Sequence, residues 1–427
     1  MVKTSDELIN LAKDIFPGSN NGNPTSDLII SKAVGSKIWD INGNEYIDYL
    51  LGSGPMVIGH SHPKVVEAVR NQLNSGSTFF ALNELSVELG QAIIDAVPCA
   101  EQIRYVTSGS EATLYAMRAV RAYTGKEKIL KFEGGYHGMN DYSLMSLMPK
   151  TEVSYPVPSI DSAGIPNSIK NEVLIAPFND FDTTKNIIDQ YKEEIAGVII
   201  EPFQRVIKPE PGFLQSIRNI TNEYKIPLIF DEIVTGFRFS YGGAQEYYNV
   251  VPDLCTLGKI VAGGYPMAAI VGKRDFMEVF NHKSDVISPS LVQIGTLSGN
   301  PIACAAGLAT LDVLRTENPY EKLFETGYFL QNSLKEIFNR NEIPAQVVGE
   351  GPVFDVYFCS NEISDYRDTM KADKSILNSF TSNLINLGIF KGDTKYYVST
   401  VHDASDIEKT ISAFEVAVGQ LKKQHGI

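Results

Sequence analysis

Little in this chain points to metal, redox or membrane chemistry. Four cysteines occur in 427 residues, Cys99, Cys255, Cys304 and Cys359, and none forms a CxxC pair. Neither a zinc site nor a disulfide framework is implied, and a reducing cytoplasm is the expected compartment. No apolar run approaches the roughly 20 residues of a membrane-spanning helix. The opening "MVKTSDELINLAKDIFPG" has acids in its first turns and lacks the apolar stretch of a secretory signal. Positive charge is scarce as well: 37 basic against 51 acidic residues leave a formal charge of −14. That sign argues against nucleic acid or an anionic membrane as a partner and leaves small molecules as the partner class. No internal repeat, no Walker P-loop and no GxGxxG opening a helix after a strand is found, so the common nucleotide signatures are missing. His60 and His62 in "GHSHP" stand at strand spacing without a third ligand, and no metal is expected.

What is present is a large core and a regular alternation. At 43% hydrophobic, the chain has material for about two domains. From about Val57 to Thr310 short β-rich runs alternate with helical patterns. "QIRYVTSG" reads as strand and turn; "SEATLYAMRAVRAYTG" follows as a helix with Ser110 as its N-cap and Gly125 as its stop. Further buried strands are "KILKF", "AGVIIEP", "IPLIFDE", "DLCTLG" and "AAIVG", with the helical "LQSIRNITNEYK" between the second and third of these. This is an α/β pattern with a mainly parallel sheet, whose ligands lie beyond the carboxyl ends of the strands. After about residue 314, helical patterns mix with the strand candidates "PVFDVYF" and "KYYVSTV", as in a smaller α+β domain. The expected division is an N-terminal segment, 1–56, joining the small domain, a large domain over 57–314, and the small domain over 315–427. "MPKTEVSYPVPSIDSAGIPNSIKNE" reads as a long loop of the kind that serves as a lid.

Three strand ends carry chemistry. Thr107, Ser108, Gly109 and Ser110 offer hydroxyls and unpaired first-turn amides where a helix dipole favours an anion, although serine also caps many ordinary helices. Asp231 ends the apolar "LIF", and Lys259 ends "DLCTLG", where desolvating a cation needs a compensating reason. All three belong to one sheet and can converge on one crevice. Pyridoxal phosphate would use all three: a lysine for a Schiff base, an acid beside the ring nitrogen and a cradle for the phosphate.

The same stretches carry a family likeness. "FDEIVTGFR", "PDLCTLGKIVAGGYPMAAIVG" and "GTLSGNPIACAAGLATL" resemble the class III, fold-type I, pyridoxal-phosphate aminotransferases. "WDINGNEYIDY", "GPMVIGHSHP", "TSGSEA", "RAYTGKEKILKFEGGYHG" and "APFND" extend the likeness in order over nearly the whole chain, nearest to the glutamate-1-semialdehyde aminomutase branch. The resemblance implies a seven-stranded sheet in the large domain, a pyridoxamine phosphate form during turnover, and an amino donor and carbonyl acceptor as substrates. It makes Lys259 the Schiff-base lysine and proton carrier, Asp231 the partner of the ring nitrogen, and Tyr136 and Ile233 the residues on the two ring faces. Ser108, Gly109 and Ser110 would hold the phosphate, and Thr296 would reach in from the second subunit of a homodimer. Glu201 would lie near the cofactor or act as a structural acid, and His137 would support the site.

One segment departs from the aminomutase branch. There, a Ser-Pro-x-Arg segment supplies an arginine to the substrate carboxylate; here the matching stretch is "FPGSNNGNPTSD", and no arginine precedes Arg70. The acidic residue of the branch's C-terminal segment is also replaced, by "DTKYYVST", where Lys395 could supply a positive charge. Asparagine or serine cannot form a charge-assisted bidentate pair, so a transaminase with another acceptor is the leading expectation and the intramolecular aminomutase the alternative; a non-catalytic role is remote.

Overall fold

The computed structural model describes residues 4–23, 28–283, 290–393 and 395–426. The chain forms two compact units: one of Met1–Pro63, Glu321–Glu362 and Lys371–Ile427, the other of Lys64–Tyr320 and Ile363–Met370.

The larger unit is built on a seven-stranded sheet. Its strands are β1 (Gln102–Val106), β2 (Lys128–Phe132), β3 (Val173–Ala176), β4 (Ile195–Ile200), β5 (Leu228–Glu232), β6 (Leu254–Leu257) and β7 (Ala268–Gly272). Their order is β1-β7-β6-β5-β4-β2-β3. Only β7 runs antiparallel to its neighbours. The central strands β4, β5 and β6 are buried at every position, which explains their continuous apolar runs. Helix α1 (Gly109–Thr124) buries Ala112, Ala116, Ala119 and Val120 and ends on Gly125 in the left-handed region, φ 69°. Its N-cap is Ser108 rather than the expected Ser110. The cause is the Ser-x-x-Glu spacing: Ser108 Oγ accepts from Glu111 N, and Glu111 reaches back to the amides of Ser108 and Thr107. Helix α2 (Phe213–Glu223) and helix α3 (Pro301–Glu317) belong to the same unit. The expected long loop lacks strands and holds one 3-10 turn, Asn167–Glu172. Its Tyr155, Ile160, Ile165 and Ile169 pack on Met145, Val173 and Ile175.

The smaller unit has a four-stranded sheet, in which Ile389–Phe390 runs parallel to Glu45–Asp48, and a three-stranded antiparallel sheet. Of "KYYVSTV", only Tyr396–Tyr397 pairs as strand. The buried Lys391 pairs with Asp355 at 2.9 Å. Among the described residues no helix is long and apolar enough to cross a membrane.

Candidate functional site

Four segments of the larger unit meet at the carboxyl ends of the strands. Ile233, two residues past the Asp231 carboxylate, shows how close they come. A Cβ placed on Gly109 would stand 3.2 Å from the Ile233 side chain, and one on Gly258 3.0 Å from it. So the α1 N-terminus and the backbone just before Lys259 both abut Ile233. The fourth segment, "GGYHG", follows β2. A Cβ on Gly138 would lie 2.6 Å from Ser110 Cα, and Ser110 Oγ accepts from Met139 N at 3.1 Å. Only glycine tolerates both that approach and the positive φ of 85° at Gly138.

Asp231 is buried and fully engaged on its protein side. His137 Nδ1 lies 2.7 Å from Oδ2, Thr256 Oγ1 donates to Oδ1 at 3.0 Å, and Ile233 N donates to Oδ1 at 3.2 Å. Thr256 faces Asp231 because β5 and β6 pair in parallel with those two residues in register. The carbonyl of His137 is held by Thr113 and Ser143, each at 2.6 Å, while the ring Nε2 is buried with no hydrogen-bond partner among the described residues.

Lys259 opens a short 3-10 turn after β6 with a left-handed φ of 50°, a strained conformation for a lysine. No described residue hydrogen-bonds or pairs with its amine. Burial, joined by the charges of Arg238 and Arg205 and opposed by Asp231 and Glu201, pushes the amine below the ordinary lysine value. Glu201 is buried and accepts from Tyr136 N at 2.8 Å, so it grips the backbone of "GGYHG". Tyr136 is half-buried, and burial raises its phenol pKa, with Arg205 acting against the rise.

The structure thus gathers Ser108, Gly109, Ser110, Tyr136, His137, Glu201, Asp231, Ile233 and Lys259. Thr296 is exposed in the turn before α3, and no hydrogen bond ties it to this cluster. Lys395 is buried in the smaller unit. His60 pairs with Asp48 at 2.7 Å, and among the described residues no group of three or more His, Cys, Asp or Glu is gathered for a metal ion.

Sequence reasoning missed Thr256, Gln204, Arg205 and Arg238. Thr256 was recoverable from strand register, since it lies opposite Asp231 on a neighbouring strand. Arg238, fully buried with Nε on the Val234 carbonyl at 2.9 Å, lay inside a quoted motif. Arg205 had no periodicity to reveal it.

The chain is similar to known proteins over nearly its whole length. The family described as "Aminotransferase class-III" matches residues 18–390. A glutamate-1-semialdehyde 2,1-aminomutase of Methanosphaera stadtmanae is 38% identical, covering 98% of this chain and 99% of its own. One of Syntrophomonas wolfei is 39% identical, over 97% and 98% of the two chains. The crystal structure of an omega-transaminase from Sphaerobacter thermophilus is 31% identical and covers 98% of each chain, with a TM-score of 0.93.

Proposed function

The chain belongs to the class-III aminotransferases, and on that footing we propose that it transfers an amino group with pyridoxal phosphate held at Lys259. The observation that carries this is the meeting of an unpaired, desolvated lysine amine, a buried carboxylate and a helix N-terminus around Ile233. These residues fit the cofactor. Ser110 Oγ is occupied as an acceptor by Met139 N, which leaves its proton for a phosphate oxygen beside the α1 amides. Among the described residues no lysine or arginine pairs with Asp231, whose one salt-bridge-distance neighbour is the His137 ring, so it can hold a proton on a ring nitrogen. Bound there, the cofactor supplies the electron sink for bond breaking at the amine carbon.

The chain's own residues do the rest. Lys259, with its pKa lowered, releases and recovers a proton near neutral pH more readily than an ordinary lysine. His137 and Thr256 fix the Asp231 carboxylate, and Glu201 fixes Tyr136 against one face of the site through the backbone amide. Thr296 would serve the site of a second copy. Phe80, Leu82, Val292 and Ile294 support a covered face there, each being more than two-thirds exposed. Asn83 bonds the Gly299 carbonyl at 2.9 Å, bringing the two apolar segments side by side.

Two readings of the transfer have support. The names of the relatives at 38–39% identity favour intramolecular transfer, as in glutamate-1-semialdehyde aminomutase, and tilt the comparisons slightly that way. The omega-transaminase likeness and an N-terminal segment without arginine favour transfer between a separate donor and acceptor. The purified protein should show the visible absorbance band of lysine-bound pyridoxal phosphate, and Lys259→Ala should abolish it; a colourless protein that takes up no cofactor sinks the proposal. Conversion of glutamate semialdehyde to 5-aminolevulinate faster than any donor–acceptor exchange selects the intramolecular reading, and the reverse selects the other.

A further inference from the structure

Beyond β4 the chain runs Glu201-Pro202-Phe203-Gln204-Arg205-Val206-Ile207. Gln204 and Ile207 exchange both backbone hydrogen bonds, at 3.0 and 2.8 Å, leaving Arg205 and Val206 as a two-residue turn. The first position of this turn has φ 61°, a conformation that glycine adopts without cost and arginine does not. The turn is fastened at two points to the backbone that carries the arginine's target. Gln204 Nε2 donates to the Glu133 carbonyl at 2.8 Å, and Glu201 holds Tyr136 N. The Arg205 guanidinium consequently lies over the Tyr136 ring, 5.5 Å from its centroid.

This cation has no anion. Arg205 is half-buried, yet among the described residues it forms no ion pair and no hydrogen bond. The two acids of the cluster are already committed, Asp231 to three donors and Glu201 to the Tyr136 amide. Its charge nevertheless reaches the site, where it lowers the Lys259 amine. A partly desolvated guanidinium held on a strained backbone and left unpaired is an anion receptor, and its planar fork suits a carboxylate.

We propose that Arg205 is the specificity residue that receives the carboxylate of the amine substrate. It would then supply from the β4 turn the charge that the N-terminal segment lacks. The proposal rests on the amino-transfer reading and holds for both of its variants, since each can act on an amine that carries a carboxylate.

The test uses the purified holoenzyme, Arg205→Gln and Arg205→Lys. A panel of α-, β- and γ-amino monocarboxylates, each paired with its decarboxylated amine, is scored by the rate at which it bleaches the lysine-bound cofactor band. The parent should prefer the acid of at least one pair. Arg205→Gln should lower kcat/KM for that acid by roughly 30- to 100-fold, mainly through KM, with the matched amine changed less than about threefold; Arg205→Lys should fall between. Equal losses for acid and amine, no loss for either, or a variant that no longer retains cofactor through desalting would each overturn the assignment. Absence of the band from the parent itself would instead overturn the amino-transfer reading on which it stands.

Discussion

His402 shows what burial does to a single titrating side chain away from the site. It stacks on Tyr49 at 4.5 Å, accepts from Ser399 N through Nδ1 at 3.0 Å, and meets the Asp48 carbonyl through Nε2 at 3.2 Å. Burial pushes its pKa down to about 4, against the opposing charges of Asp406 and Asp48. The folded state therefore binds fewer protons than the unfolded chain between the two pKa values. Its contribution is complete above about pH 6.5 and is lost as pH falls toward about 4, an order of 3 kcal/mol across that window. Denaturant unfolding at pH 7 and at pH 4.5 should show this loss, and His402→Gln should flatten it; a variant with the parent's slope contradicts the assignment. At this scale the site was legible wherever an unusual residue ends a strand, as with Lys259 and Asp231. Arg205 was not, because its place over Tyr136 comes from a turn geometry that no residue spacing encodes.

At the scale of elements, "GGYHG" has little room to change. Gly138→Ala would drive a methyl into the Ser110 backbone at 2.6 Å and force an alanine to φ 85°. Since Ser110 lies in the first turn of α1, the strain falls on the anion cradle. Gly164→Ala is the control: its φ is 92°, but nothing stands within 4 Å. Both should lose about 1 kcal/mol for the backbone alone. Only Gly138→Ala should also weaken pyridoxal phosphate retention, by about tenfold or more in a dialysis titration; equal retention in the two variants would refute the close approach. The central strands of the large sheet were readable because burial on both faces writes a continuous apolar run, whereas β3, four residues at the end of the long loop, was passed over although each of its positions is buried. The helix start was misplaced by two residues because Ser108 and Ser110 are alike in composition and differ only in which has glutamate three residues on. The strand "KYYVSTV" was overestimated for the opposite reason: residues that favour strands extend past Tyr396 and Tyr397, the two that find pairing partners.

For the whole molecule, the exposed Phe80, Leu82, Val292 and Ile294 set the expectation of a second copy. Sedimentation should give the mass of two chains, and Ile294→Asp with Leu82→Asp should shift it toward one while reducing cofactor retention. A monomer that keeps full retention would remove Thr296 from the site. Contiguity along the chain was the least legible feature. Ile363–Met370 is flanked on both sides by small-unit sequence yet packs in the large unit. Within it, Tyr366 lies against Gly134, where a Cβ would come 2.4 Å from the ring, and Arg367 meets the buried Glu133 at 2.7 Å and the Val153 carbonyl at 2.7 Å.

That excursion has a consequence for biosynthesis. During translation the strands and α1 emerge long before residue 370, but Glu133, next to "GGYHG", lacks its counterion until Arg367 has left the ribosome. A nascent chain stalled after Tyr320 would carry all seven strands of the large sheet with the Glu133 carboxylate bonded to Tyr155 and without its Arg367 partner. The Glu133–Arg367 contact beside "GGYHG" is therefore closed only near the end of synthesis.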